Sequence, residues 1–170
     1  MSDPNGARAL EVIDLARRFG DVVALDHVSF RVEAGEMVGF VGPNGAGKTT
    51  AMRIVLGVLQ ADAGEVRWLG RPVEAETRRR FGYLPEERGL YPKMRVLDQL
   101  VYLARLHGLE PDDARSQAAR MVEQLGVAER AKDRADTLSL GNQQRVQLAA
   151  ALVHRPEVLE IGRASCRERV

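Results

Sequence analysis

Cysteine is all but absent from this 170-residue sequence: the only one is Cys166, so no internal disulfide can hold the fold together. An excess of charge is missing too. Lysine and arginine number 25 against 24 aspartates and glutamates, a net charge of +1. Bulk electrostatics therefore draws in neither nucleic acid nor an anionic membrane surface. Long apolar runs are also lacking, for even TTAMRIVLGVLQADAG, residues 49–64, is broken by Arg53 and closes on polar residues. Nothing here reaches the length of a membrane-spanning helix, and no secretory signal pattern opens the sequence. Repeats and low-complexity linkers are absent, and the three histidines, His27, His107 and His154, lie far apart in sequence. They read as surface or structural residues. The length is that of one domain with a sizeable core.

What is present begins with glycine. Residues 42–50, GPNGAGKTT, fit the pattern G-x-x-x-x-G-K-[ST], set between an apolar strand candidate, MVGFV at 37–41, and a helix candidate, TTAMRIVLGVL at 49–59. In such a loop Gly42, Gly45 and Gly47 let backbone N–H groups converge on an anion, and the following helix turns its positive end to it. Pro43, Asn44, Ala46 and Thr50 complete the loop. Lys48 is placed to reach the outer phosphates of a nucleoside triphosphate, and Thr49 to hold magnesium.

A second motif follows in LSLGNQQRVQLAAALVHRP, residues 138–156, where a Ser/Gly turn precedes a helix with Val146, Leu148, Ala149, Leu152 and Val153 at helical spacing. Taken with the phosphate loop, this stretch resembles the ATP-binding subunits of ABC transporters, whose LSGGQ signature followed by Gln-Arg is read here as Leu138, Ser139, Leu140, Gly141, Asn142, Gln143 and Arg145. The resemblance covers residues 9–159. It implies an α/β P-loop NTPase cassette with a β-rich edge and a helical subdomain at about 93–150. Two such subunits would pair head to tail, with ATP between the phosphate loop of one and the signature of the other. Ser139, Gly141, Asn142 and Gln143 would then face the γ-phosphate of the opposite site. A transmembrane permease subunit would be the other partner, and the cytoplasmic face of the membrane the location; no nucleic acid is expected.

The same resemblance assigns further residues. Phe19 stands where the family places an aromatic against adenine, and stacking suits a purine because it needs no hydrogen-bond code. Ala24 would line the same slot. Val28, Phe30 and Val32 alternate as a strand, and AGE at 34–36 reads as the turn into MVGFV. In FGYLPEERGLYPKMRV, residues 81–96, the family carries a glutamine that touches magnesium and the attacking water. Glu86 occupies that position here, and a carboxylate can also take a hard cation. The wording PEERGLYPKM together with LSLGNQQ is similar to a branch of exporters that includes sodium-extrusion and other ABC-2-type systems. A soluble ABC-type nucleotide switch is the alternative reading, and a P-loop kinase leaves LSLGNQQ without a purpose.

The stretch MRVLDQLVYLARLHG carries Val96, Leu97, Leu100, Val101, Ala104 and Leu106 on one broad face. PDDARSQAARMVEQLGV starts with Pro111, Asp112 and Asp113, all helix-start residues, and Gly108 and Gly126 are stop signals. In the family this helical region docks on the membrane subunit. The final residues, EIGRASCRERV at 160–170, show no apolar period and resemble the translated read-through of a DNA-sequencing adapter. They are expected to be a non-native tail that interrupts a central strand after Leu159, so that the second acidic motif, the water-polarising glutamate, the dimer-contact loop and the switch histidine are missing. On this reading the parent protein is an ATPase and this chain is not competent to hydrolyse ATP.

Overall fold

The computed structural model describes residues 9–86 and 89–162. It divides into two compact units, 1–78 and 79–170.

The first unit is built on an antiparallel sheet in the order β2-β1-β3-β4, from β1 (Ala9–Phe19), β2 (Val22–Glu33), β3 (Ala63–Trp68) and β4 (Arg71–Pro72). This is the β-rich edge, and β2 contains the alternating Val28, Phe30 and Val32. Buried Leu10 and Val12 occupy even positions of β1, whereas buried Leu15 is odd. The switch takes place at a break in register between Val12 and Leu15 on the β2 side, where Asp14 has φ 54°. An extra residue in one strand is what moves an apolar set from one parity to the other without leaving the core.

Helix α1 (Lys48–Val55) buries Ala51, Ile54 and Val55 and stops four residues short of the expected end. Its last turn closes with Gly57 N–H donating to Ile54 O and Val58 N–H to Arg53 O, a pairing that satisfies the terminal carbonyls. A further short helix, α2 (Ala75–Arg78), closes the unit.

The segment MVGFV departs from the sequence reading. Ala34 and Gly35 do make the expected turn, but residues 37–41 form no strand, and Met37 and Val41 are almost fully exposed. Phe40 packs edge-on against Phe30 of β2, with ring centroids 4.7 Å apart. A strand exists only where a neighbour accepts and donates its backbone hydrogen bonds. No ladder partner reaches this segment among the described residues, so its apolar pattern remains unrealised.

The second unit is mainly helical: α3 (Val96–Leu106), α4 (Pro111–Gln124) and α5 (Leu140–Leu152) pack around Val96, Leu100, Ala104, Ala114, Ala118, Val122, Val146, Ala149 and Val153. The i, i+4, i+8 stripe of α3 supplies Val96, Leu100 and Ala104, while Leu106, placed on the same face by the sequence, is exposed. Helices α3 and α4 stop at Gly108 and Gly126 as expected, each with the paired closing bonds just described for α1. Two orphan donors at the start of α3 are satisfied without a capping side chain: Val96 N–H donates to Asp133 O and Leu97 N–H to Ala131 O.

Strands β5 (Phe81–Leu84) and β6 (Val158–Ile161) pair in parallel, with Phe81 opposite Val158 and Leu84 opposite Ile161. The strand expected to break off after Leu159 therefore runs two residues further, through Glu160 and Ile161. β5 offers hydrogen-bonding partners along its whole length, and pairing extends to its end.

Candidate nucleotide site

The phosphate loop belongs to the first unit. Gly47 has φ 77° and ψ −2° immediately before α1 and serves as its N-cap residue with no side-chain cap. A Cβ at Gly47 would collide with the carbonyl oxygen of Ala24 and with Leu25. The loop thus rests directly on the β2 backbone, a seat open only to glycine. Ala24 is thereby brought to the phosphate loop. The first turn of α1 carries no acidic residue, so no carboxylate within it competes with an anion for the positive helix end.

Lys48 Nζ donates to the carbonyl oxygens of Gly42 and Pro43, each at 2.6 Å. These are neutral acceptors, and phosphate oxygens are stronger ones, so the ammonium can exchange one for the other. Within the loop, Ala46 N–H donates to Pro43 O at 3.3 Å. Gly42, Pro43, Asn44 and Gly45 are exposed, as is Thr49, while Thr50 is half-buried. One hydroxyl from Thr49 suits magnesium, which draws most of its octahedral shell from water and phosphate oxygens. No group of three or more His, Cys, Asp or Glu side chains able to hold a metal occurs among the described residues.

Phe19 ends β1 with nearly half its surface exposed, and the Arg17 guanidinium lies over its ring, 4.9 Å from the centroid. Arg17 Nη1 donates to Asp62 Oδ1 at 2.5 Å, and Arg18 N–H donates to Asp62 Oδ2 at 2.7 Å. The Asp62 N–H returns a bond to Ala16 O at 2.9 Å. The Arg18 N–H foremost, and then Arg17, hold the Asp62 carboxyl below its usual range. Sequence reasoning missed this cluster because its members lie 44 and 45 residues apart.

In the second unit the signature forms a capped turn. Ser139 is the N-cap of α5, and its hydroxyl accepts from Asn142 N–H at 3.4 Å. Ser139 and Gly141 are exposed and Asn142 half-buried. Gln143 is different: it is buried, and its Nε2 donates to Ala135 O at 3.1 Å and Leu138 O at 3.0 Å. Expected to face nucleotide, its side chain instead ties the signature turn together. It lies one helical position on from Asn142, a rotation of about 100° that turns it inward.

Glu86 follows β5 and is exposed; Glu87 and Arg88 lie outside the described residues. The turn before it is braced by α5, whose Gln147 Nε2 donates to Pro85 O at 2.9 Å. The structure also joins two of the three scattered histidines. His107 and His154 stack with centroids 3.6 Å apart, each ring bonded to a backbone carbonyl, Arg79 O in the turn before β5 and Phe81 O at its start respectively. Burial, reinforced by the neighbouring His107, pushes the His154 imidazole down to about 4.

Comparison with known proteins agrees with this geometry. A family model described as ABC transporter matches residues 25–161. An uncharacterised ABC transporter ATP-binding protein of Bacillus subtilis, YhaQ, is 43% identical over 88% of this chain and 50% of its own length. The phosphonates import ATP-binding protein PhnC of Frankia casuarinae is 41% identical over 85% of this chain and 63% of its own. A solved structure of an ATP-binding subunit of an ABC transporter superimposes with a TM-score of 0.79 at 29% identity, covering 89% of this chain and 65% of that one. The chain spans about half the length of the first curated relatives it matches.

Proposed function

The chain belongs to the ABC transporter family, and we propose that it is the nucleotide-binding part of a transporter's ATP-binding subunit, taking ATP with magnesium. The observation that carries this reading is the seating of Gly47 against Ala24, which sets the glycine loop directly before the N-terminus of α1, whose first residues are Lys48 and Thr49. Phe19 and Ala24 would hold the base, Gly42 to Thr50 the phosphates, and Thr49 the metal. Glu86 would supply an oxygen toward metal or water in place of an amide. Ser139, Gly141 and Asn142 would meet the γ-phosphate bound to a second subunit, through a hydroxyl, backbone N–H groups and the positive end of α5.

In the complete protein, ATP hydrolysis would drive cargo through a transmembrane permease from the cytoplasmic face of the membrane. No helix among the described residues is long and apolar enough to cross a membrane itself. The likeness of PEERGLYPKM and LSLGNQQ to exporters supports export, although one relative, 41% identical, is named for phosphonate import. The 170-residue chain would bind ATP without turning it over, because the residues after β6 are Gly162 and Arg163, where catalysis calls for carboxylates.

Titration with a fluorescent ATP analogue in magnesium tests the reading. Lys48→Ala should nearly abolish binding by removing the charge paired to the outer phosphates. Affinity equal to that of the parent chain would reject the phosphate-loop assignment, and phosphate release at the rate of an intact cassette would reject the claim about turnover.

A further inference from the structure

We propose that Arg17, anchored by Asp62, is a positioning residue for the base: it closes one face of the Phe19 ring and presents the other to adenine. The inference rests on the nucleotide reading above and adds to it a pair of residues and a mechanism. Phe19 is the last residue of β1, at the end of an inner strand of the sheet, where a half-exposed ring would otherwise be free to rotate. The guanidinium sits over it at 4.9 Å, within the range in which a cation is attracted to an aromatic face.

Arginine alone would be a poor clamp, since it has many rotamers to lose. Asp62 removes that freedom: its carboxylate accepts from Arg17 Nη1 at 2.5 Å and from Arg18 N–H at 2.7 Å, while its own N–H donates to Ala16 O at 2.9 Å. Side chain and backbone of β1 are gripped together, and the Arg17 side chain is only 24% exposed. Asp62 also lies in the connection that leads from the C-terminal end of α1 into β3. The base platform is therefore tied to the same helix whose other end carries the phosphate loop.

The test compares ATP with inorganic triphosphate, which engages the phosphate loop and has no base. Affinities of both probes are measured for the full chain and for Arg17→Ala, Arg17→Lys, Asp62→Asn, Phe19→Ala and the double variant Arg17→Ala/Phe19→Ala. Arg17→Ala should weaken ATP about twofold to fivefold, the ratio expected for an exposed cation–π contact, and leave triphosphate unchanged. Arg17→Lys should recover part of the loss by keeping a cation on the ring, and Asp62→Asn should lose part. With Phe19 already removed, Arg17→Ala should cost nothing more. Equal losses for ATP and triphosphate, or losses that add in the double variant, would overturn the proposal and make Arg17 a general stabiliser of β1. Failure of the parent chain to bind either probe would instead refute the nucleotide reading.

Discussion

Replacing Gly47 by alanine isolates the contact on which the phosphate loop is built. Two costs combine in this variant. An L-residue held in the left-handed region costs about 1–2 kcal/mol, and Gly47 sits there at φ 77°. The new methyl would also meet the Ala24 carbonyl and the Leu25 side chain. Backbone cannot yield like the tip of a flexible side chain, and forced displacement of packed groups costs about 1–3 kcal/mol. The total is about 2–5 kcal/mol, a large share of the roughly 5–15 kcal/mol that hold a typical domain. Gly45 supplies the control within the same loop, with φ 84° but nothing within 4 Å of an added Cβ. Gly45→Ala should cost only the conformational part, about 1–2 kcal/mol. At about 2–4 °C per kcal/mol for a chain of this size, thermal melts followed by circular dichroism should separate the two variants clearly. Gly47→Ala should also lose ATP affinity, because the loop can relieve the clash only by leaving its seat on β2. Equal melting shifts for the two variants would refute the argument that close approach, and not φ alone, requires glycine at position 47.

Other outcomes follow from the second unit. Gln143→Leu should destabilise it by about 1–3 kcal/mol, because the carbonyls of Ala135 and Leu138 lose their donor, and urea unfolding measures the difference. His154, lowered to about 4 in the fold from an ordinary 6.5, takes up protons more readily when unfolded. Its contribution is complete above about pH 6.5 and is lost as pH falls toward 4, so His154→Phe should flatten the acid side of a stability-versus-pH curve even if the overall level drops. Glu160 is the opposite case: burial raises its carboxyl to about 8 from 4.5, and its Oε1 has no hydrogen-bond partner. Stability should be greatest below about pH 4.5 and decline as pH rises to 8, so Glu160→Leu should raise the melting temperature more at pH 9 than at pH 5, as differential scanning fluorimetry would report.

Much of this protein is determined by sequence alone, since the informative features are local. The phosphate loop is a run of nine residues whose glycines, lysine and threonine carry their chemistry in their spacing. Ser139 caps α5 because a hydroxyl three residues before a free N–H needs no distant partner. Gly108 and Gly126 end α3 and α4 for an equally local reason. Tertiary structure decided what depends on residues far apart in the chain. MVGFV has the composition of a strand, yet strand formation is settled by neighbours, and none pairs with it among the described residues. Gln143 and Asn142 are consecutive in a motif, but helix rotation turns one inward to hold the signature turn and leaves the other half-exposed. The grip of Asp62 on Arg17 and the stacking of His107 on His154 join residues 45 and 47 positions apart. No pattern of spacing announces such pairs, because packing in three dimensions is what brings those side chains within reach of one another.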